Sequence, residues 1–211
     1  MLTLHSSPGA CSLASHIALR DAGAAFELAR VDFKSSQQRG PDYLAINPKG
    51  RVPALVTDHG VLTETPAILG YVAATHPEAG LLPADPWTRA RMDSLVAFLC
   101  ATLHVAHAHK FRGSRWADDP SSHEDMRRKT PETVGAAFRH VEDECLGDGP
   151  WAMGDGYSLA DPYLYTVARW MEGDSLDPAD FPKVAAHRAR MESRAPVRAA
   201  LEAEGLDPVS A

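Results

Sequence analysis

The first third of the chain alternates apolar and polar positions in a pattern that predicts strands and helices in turn. Residues 1–5 and 26–31 have the short alternation of strands, and apolar residues recur every three or four positions over 11–22. That recurrence gives a helix one apolar face, and Gly23 is a natural end for the helix. The pattern therefore predicts a strand, a helix and a second strand, which is the start of an α/β unit.

The segment over residues 47–68 predicts a hairpin followed by a helix. A short apolar strand at residues 54–57 turns at residues 59–60 into a second strand. Thr65 and Pro66 then open the helix, because a threonine hydroxyl can cap free N–H groups and a first-turn proline loses no hydrogen bond. This hairpin and helix complete an α/β unit of about 80 residues, the size of a small domain.

Two features of that segment indicate a binding edge. Pro53 precedes the strand directly, so a sharp turn, with a cis Val52–Pro53 bond as one option, leaves the backbone groups of Val52 free for an extended ligand. Thr65 stands at a helix N-terminus that favours a carboxylate, and Glu64 beside it suits an ammonium group. Together they predict a pocket for a small peptide; the alternative is a proline that only starts the strand and a threonine that only caps the helix.

The second part of the chain predicts helices alone. Residues 75–86 are rich in proline and glycine and predict a linker. Beyond them, Asp85 and Pro86 open a long helix, and capping boxes at residues 122–125 and 158–161 open two more. We therefore expect an α/β domain over residues 1–78 and an all-helical domain over residues 86–211.

Charge and cysteine content narrow the class of protein. The formal net charge of −7 argues against a general nucleic-acid or anionic-membrane partner, and no stretch is apolar for long enough to span a membrane. The start of the chain has no basic and apolar pattern of a signal peptide. Three widely spaced cysteines form no disulfide framework, so a reducing cytoplasm fits best.

Cys11 is the first candidate for chemistry. It lies at the start of the first predicted helix, where the helix dipole and free N–H groups stabilise a thiolate. The residues after it contain no second cysteine of a redox pair, so it could form a mixed disulfide with an outside thiol without resolving it. The alternative is a buried, inert cysteine, which is the interpretation we favour for Cys100 and Cys145.

A cluster of histidines on the long helix is the second candidate. His104 and His107 are three residues apart and share a face, whereas His109 points elsewhere. No carboxylate or cysteine on that helix completes a metal set, so we expect no metal site. A single histidine that reaches the Cys11 thiol as a proton donor or hydrogen-bond partner is the more plausible role.

Taken together, these residues resemble the cytosolic glutathione S-transferases, and specifically their bacterial beta class. The similarity covers nearly the whole chain, and the segment with Cys11 is the most class-specific part because other classes place a tyrosine or serine there. Three segments carry the resemblance: residues 7–20, 47–55 and 158–163.

The resemblance implies a thioredoxin-like N-terminal domain, an all-helical C-terminal domain and a homodimer. It also implies a cis Val52–Pro53 bond and glutathione as co-substrate, with no other cofactor. In that arrangement Val52 pairs with the cysteinyl part of glutathione, and Glu64 and Thr65 hold the γ-glutamyl end. Cys11 lies against the glutathione sulfur and His104 approaches from the helical domain. The implied glutathione site is Lys34, Val52, Pro53, Glu64 and Thr65, with Cys11 and His104 as catalytic residues.

The chain departs from the family pattern at three positions. Val105 stands where the class often has a lysine near the ligand, Ala97 stands where relatives have an asparagine that reaches glutathione in the partner subunit, and Lys34 is only the best match for a basic residue in a shorter loop. Each lost contact to a charged ligand could cost about 1–3 kcal/mol. Weak affinity, or a different thiol substrate, is therefore credible.

We interpret the chain as a glutathione transferase that conjugates glutathione to a small hydrophobic electrophile in detoxification, with thiol–disulfide exchange through Cys11 as an added option. The electrophile would lie between the domains, against side chains such as Phe111, Trp116 or Trp170. The alternative, favoured by Ala97 and Val105, is a catalytically silent binding or interaction protein of the same fold.

Overall fold

A computed structural model describes residues 1–209 of the chain. Its first part is an α/β unit with a four-stranded sheet in the order β2-β1-β3-β4, in which β1 and β2 are parallel and the other neighbours antiparallel. The elements are β1 (Leu2–Ser6), α1 (Ser12–Asp21), β2 (Phe26–Arg30), α2 (Pro41–Ile46), β3 (Ala54–Thr57), β4 (Gly60–Thr63) and α3 (Thr65–Thr75). The predicted α/β unit is thereby confirmed.

The register of the sheet brings three loops to one edge. His5 near the end of β1 pairs with Ala54 at the start of β3, and Ala54 pairs in turn with Thr63 at the end of β4. The loop after β1, the loop before β3 and the start of α3 therefore meet at one end of the strands. We call this end of the strands the sheet edge. These are the segments that carry Cys11, Val52 and Glu64.

Two local predictions in this part differ from the structure. The sequence pattern did not separate α2 (Pro41–Ile46) from the polar loop before it, because a six-residue helix is too short to show an apolar period. The cap of α3 is Glu64, and Thr65 is the first helical residue, with no capping hydrogen bond from either side chain. Pro66 lies in the first turn, as predicted.

The rest of the chain is helical, which confirms the predicted fold class. Its helices are α4 (Pro86–Phe98), α5 (His104–Arg112), α6 (Pro120–His140), α7 (Ala160–Ala168), α8 (Pro182–Ser193) and α9 (Ala195–Glu204). A π-helical turn at Leu99–Leu103 joins α4 to α5 without a break, so the predicted long helix continues to Arg112. None of the helices within residues 1–209 combines the length and apolar character needed to cross a bilayer.

The start of α6 lies upstream of its predicted position. Asp119 caps the helix by accepting the Ser121 N–H at 2.8 Å, and Pro120 occupies the first turn. The box at residues 122–125 does not open the helix, because an aspartate followed by proline three residues earlier already satisfies its first N–H groups. Pro131 lies inside the helix.

The predicted box at the start of α7 is present in part: Asp161 accepts the Ser158 N–H, but Leu159 is the cap residue. The box belongs to a larger network. The carboxylate of Asp161 accepts the Ser158 N–H at 2.7 Å, the Ala152 N–H at 2.8 Å and the His187 imidazole at 2.9 Å. Ser158, Asp161 and His187 are all buried. The network ties the loop before α7 to α8 and has no contact with the sheet edge described above, so its role is structural.

The two parts of the chain share an apolar interface. Leu13 and Ile17 of α1 lie in one buried cluster with Tyr165 of α7 and Leu201 of α9. The chain passes between the parts through residues 76–85, with one short helical turn at Pro77–Ala79. Ser210 and Ala211, the last two residues of the predicted second domain, lie outside the described residues.

Candidate active site

A cleft of about 490 Å³ lies between the sheet edge and the helical part of the chain. It contains six of the seven predicted site residues, all except Lys34. The three aromatic side chains named above for an electrophile site also line it. The lining includes Cys11, Val52, Pro53, Glu64 and Thr65 from the first part, and His104, Phe111, Trp116 and Trp170 from the second.

Val52 provides the backbone edge that the sequence predicted. The Val52–Pro53 peptide bond is cis, and within the described residues the Val52 N–H makes no hydrogen bond. The Val52 carbonyl, by contrast, accepts the Cys11 thiol at 3.3 Å. One backbone donor is therefore open to a ligand, while the acceptor beside it is engaged.

The loop that precedes Cys11 is fixed by the helical part of the chain. The Gly9 carbonyl accepts the indole N–H of Trp170 at 2.9 Å, and the Gly9 N–H donates to the Glu204 carboxylate at 3.0 Å. Gly9 has a φ of +69°, a left-handed conformation that glycine adopts without strain. The other oxygen of Glu204 accepts from Ser6 at 3.0 Å and lies 2.9 Å from His16. Both peptide groups of Gly9 are thus satisfied from outside the α/β unit.

The Cys11 thiol is protonated near neutral pH. Burial raises its pKa to about 11, although hydrogen bonding by Thr65 acts in the opposite direction. We expected the start of α1 to stabilise a thiolate, and that expectation was wrong because desolvation of the charged form dominates. Cys11 therefore serves as a hydrogen-bond donor in this structure, and its donor function is visible in the bond to Val52.

His104 lies in the cleft as a neutral imidazole. Burial lowers its pKa to about 4, and the electrostatic influence of the neighbouring His107 and Arg115 acts in the same direction. The Tyr163 hydroxyl lies 3.5 Å from Nδ1 of His104. Because burial also raises the pKa of Tyr163, its phenol is protonated and lies within hydrogen-bond reach of the neutral imidazole.

His107 also faces the cleft, and a buried carboxylate orients it. Its Nδ1 lies 2.7 Å from Oδ2 of Asp174, and its ring stacks on Trp170 with centroids 4.3 Å apart. His109 faces away from that pair and lies against Trp116, with ring centroids 4.2 Å apart. Within the described part of the chain, no group of three potential metal-binding side chains is arranged to hold an ion.

Glu64 lines the cleft at the N-terminus of α3. It has a φ of +73°, and its carboxylate pairs with the Lys49 ammonium, which also donates to the Thr63 hydroxyl at 2.6 Å. Both partners are exposed, so the pair can open at little cost in free energy. Sequence reasoning did not identify Lys49, although its place in the loop before Pro53 was visible.

Lys34 does not line the cleft, although its neighbour Phe33 does. The Lys34 side chain is exposed, and its backbone N–H donates to Asp32 at 2.9 Å. The arginines of the cleft wall are instead Arg51, Arg112 and Arg115. The sequence analysis overlooked them, although Arg112 and Arg115 closely follow the histidine cluster that it singled out.

Cys100 and Tyr163 are two further wall residues that the sequence analysis missed. We expected Cys100 to lie in the core, yet it is half-buried and lines the cleft. Tyr163 is fully buried and reaches His104 from α7. Cys145 does not line the cleft. A signal for Cys100 was present, because it lies four residues before His104 and therefore on the same helical face.

Known sequences and family models match both parts of the chain. The family model described as glutathione S-transferase, N-terminal domain, matches residues 1–74, and the one described as glutathione S-transferase, C-terminal domain, matches residues 95–195. A relative from Escherichia coli O157:H7, glutathione S-transferase GstA, is 38% identical over 97% of this chain and 100% of its own length.

Solved structures agree with those matches. A glutathione transferase homologue from Sulfitobacter, with bound glutathione, has a TM-score of 0.94 and 50% identity, and the match covers 98% of this chain and 99% of the other. A bacterial beta class glutathione S-transferase from Sphingomonas chungbukensis has a TM-score of 0.84 and 37% identity, with 97% and 100% covered. The likeness in both cases extends over the cleft and both parts of the fold.

Proposed function

The chain belongs to the glutathione S-transferase family of enzymes, and from that premise we propose that it joins the sulfur of glutathione to a small hydrophobic electrophile in the cleft. The observation that carries this proposal is the open Val52 N–H beside a protonated Cys11 and a neutral His104. A tripeptide thiol that pairs with Val52 brings its sulfur close to both groups.

In this proposal glutathione lies along the sheet edge. The Val52 N–H donates to the cysteinyl carbonyl, and Pro53 gives that edge its shape. The free N–H groups at the start of α3, around Thr65, receive the γ-glutamyl carboxylate. Glu64 exchanges the Lys49 ammonium for the ammonium group of glutathione. Lys34 stays a prediction for the glutathione site, and it would have to approach from outside the present cleft wall.

The conjugation needs a thiolate of glutathione, and hydrogen-bond donors near the sulfur stabilise one. The Cys11 S–H and the single ring N–H of neutral His104 are donors that carry no charge of their own. The thiolate attacks the electrophilic carbon, the carbon–sulfur bond forms, and the leaving group departs with its electron pair. The thiol proton passes to solvent, so neither residue has to change its protonation state permanently.

The same observations rank the alternative roles of Cys11. Thiol–disulfide exchange requires Cys11 as the nucleophile, and a thiol whose pKa is about 11 provides little thiolate at pH 7. We therefore propose that Cys11 positions the glutathione sulfur by hydrogen bonding. We further propose that the enzyme acts in the cytoplasm. We also propose that it is a homodimer, and sedimentation of the purified protein would test this oligomeric state.

The deciding experiment measures the rate of glutathione conjugation to 1-chloro-2,4-dinitrobenzene by the wild type, Cys11→Ala and the matched control Cys145→Ala. We expect saturable turnover in all three, with Cys11→Ala reduced no more than about tenfold, the worth of one hydrogen bond. A complete loss in Cys11→Ala alone would instead show that Cys11 is indispensable for activating the glutathione sulfur. No turnover by the wild type with any electrophile would favour the catalytically silent binding protein.

A further inference from the structure

The cleft has a local excess of positive charge. Arg51, Arg112 and Arg115 all line it, and within residues 1–209 none of their guanidinium groups forms an ion pair with a carboxylate. The chain as a whole has a net charge of −7, so this accumulation is local. The acidic side chain of the cleft wall, Glu64, is engaged with Lys49.

These arginines are close enough to affect one another. Partial burial lowers the pKa of Arg115, and the positive charges of Arg51 and Arg112 lower it further. The same groups also contribute to the lowered pKa of His104, which places their field inside the cleft. Like charges near each other without a counter-charge are unfavourable, and a bound anion would remove that cost.

Aromatic side chains surround the same region. Phe111 and Trp116 flank the arginines along the chain, line the cleft and are 68% and 45% exposed. The Arg112 guanidinium lies over the ring of Phe33 at 5.4 Å from its centroid, which holds it at the wall without neutralising it. A flat, unsaturated molecule can therefore contact ring faces while an attached anion reaches a guanidinium.

We propose that the preferred electrophile carries a carboxylate on an aromatic or unsaturated body, and that Arg115, with Arg51 and Arg112, binds this carboxylate. The inference rests on the proposed conjugating function and specifies its substrate class. It replaces a purely hydrophobic electrophile site with an amphipathic one, in which the ring faces hold the body and the guanidinium groups select the charge.

The probes are 4-(chloromethyl)benzoate and 4-(chloromethyl)benzamide, which have nearly the same shape and differ in charge. With either probe the glutathione thiolate attacks the benzylic carbon, the carbon–sulfur bond forms, and chloride leaves with the electron pair of the carbon–chlorine bond. The thiol proton goes to the buffer. The ratio of kcat/KM for the acid to that for the amide, after subtraction of the uncatalysed rate, isolates recognition of the carboxylate.

We expect the wild type to favour the acid about tenfold or more, and Arg115→Gln and Arg51→Gln each to bring that ratio towards one. The KM for glutathione should change less than twofold. Arg128→Gln is the matched control, because it removes the same charge from an exposed site on α6 and should leave the ratio as in the wild type.

Three results would overturn the inference. An acid-to-amide ratio near one in the wild type would show that the carboxylate is not recognised. An unchanged ratio in Arg115→Gln and Arg51→Gln together would place recognition elsewhere. An increased KM for glutathione in both variants, with equal losses for both probes, would assign the arginines to glutathione itself. Failure of the proposed function is distinct from these, since it would abolish conjugation of the amide as well.

Discussion

The indole N–H of Trp170 donates a 2.9 Å hydrogen bond to the carbonyl of Gly9, two residues before Cys11. The bond joins a residue just beyond α7 to the loop that presents the thiol at the sheet edge. The same indole ring stacks on His107, whose imidazole is held by Asp174. Trp170 therefore links the position of the Cys11 loop to the shape of the aromatic wall across the cleft.

Replacing Trp170 with phenylalanine tests this link. The Trp170→Phe variant keeps a ring beside His107 but loses the donor to Gly9, so the Cys11 loop should be less well positioned. We expect the KM for glutathione to rise about 2- to 10-fold, the equivalent of one neutral hydrogen bond. Steady-state kinetics with varied glutathione measures this. The control is Trp151→Phe, outside this cleft, and an equal effect in both variants would contradict the assignment.

Glu204 should be the more costly partner of the same loop to remove. Its carboxylate is buried and is shared by Gly9, Ser6 and His16, so Glu204→Gln leaves several groups poorly satisfied. We expect the free energy of unfolding in urea to fall by about 2–4 kcal/mol. Glu202→Gln, an exposed neighbour on the same helix, should change it by less than about 0.5 kcal/mol. Similar values for the two variants would show that the Glu204 network contributes little.

The alkylation rate of Cys11 should report its raised pKa. With the pKa near 11 instead of its ordinary value of 9, the thiol remains protonated at pH 8 in the free enzyme. The thiolate fraction is then about 100-fold lower than for an unperturbed cysteine, and modification by iodoacetamide slows accordingly. Mass spectrometry of mapped peptides between pH 7 and 10 measures the rate. A plateau reached below pH 8 would contradict a desolvated thiol and restore the helix-stabilised thiolate.

His104 should make the free energy of unfolding depend on pH in the acid range. Its folded pKa of about 4 lies below its ordinary value of 6.5, so the unfolded chain binds more protons between these pH values. The contribution of neutral His104 is present above pH 6.5 and is lost as the pH falls towards 4. Urea unfolding at pH 7.5 and 4.5 should show a loss of about 1–3 kcal/mol that is absent in His104→Gln. An identical acid loss in the variant would assign it to other groups.

The start of α6 offers a direct comparison between sequence and structure. The structure assigns the cap to Asp119, so Asp119→Ala should lower the free energy of unfolding by about 1 kcal/mol. Ser122→Ala, which removes the first residue of the predicted box, should have an effect of less than half that size. Thermal unfolding of both variants measures the difference. The reverse order would restore the start of the helix predicted from the sequence.

Local patterns explain how much of this fold was accessible from sequence. The apolar period of α1, the hairpin around His59 and Gly60, and the box at Ser158 and Asp161 each depend on residues within a few positions of one another. Such signals are complete in the sequence, because the backbone needs only its neighbours to satisfy them. Where the sequence offers two possible caps, as at Asp119 and the downstream box, the residue that caps the helix depends on geometry that the sequence pattern does not contain.

Site residues could be predicted only where a local feature of the sequence, such as a turn or the start of a helix, identifies them. Val52, Pro53 and Glu64 stand at turns, and Cys11 stands at a helix start. The arginines of the cleft did not, because Arg51 is far from Arg112 and Arg115 in the sequence and only the fold brings the three to one cleft. The protonation state of Cys11 was also inaccessible, since it depends on burial of the thiol in the folded protein, against which the hydrogen bond with Thr65 acts.

The double attachment of Gly9 has a consequence for protein engineering. A chimera that grafts the α/β half of this chain onto the helices of another transferase would transplant Cys11 without the two side chains that hold its loop. Such a hybrid should fold around the shared apolar interface and yet present the thiol loosely, unless the recipient supplies a tryptophan at the site of Trp170 and a carboxylate at the site of Glu204. Both halves of the chain are therefore needed to position this catalytic loop.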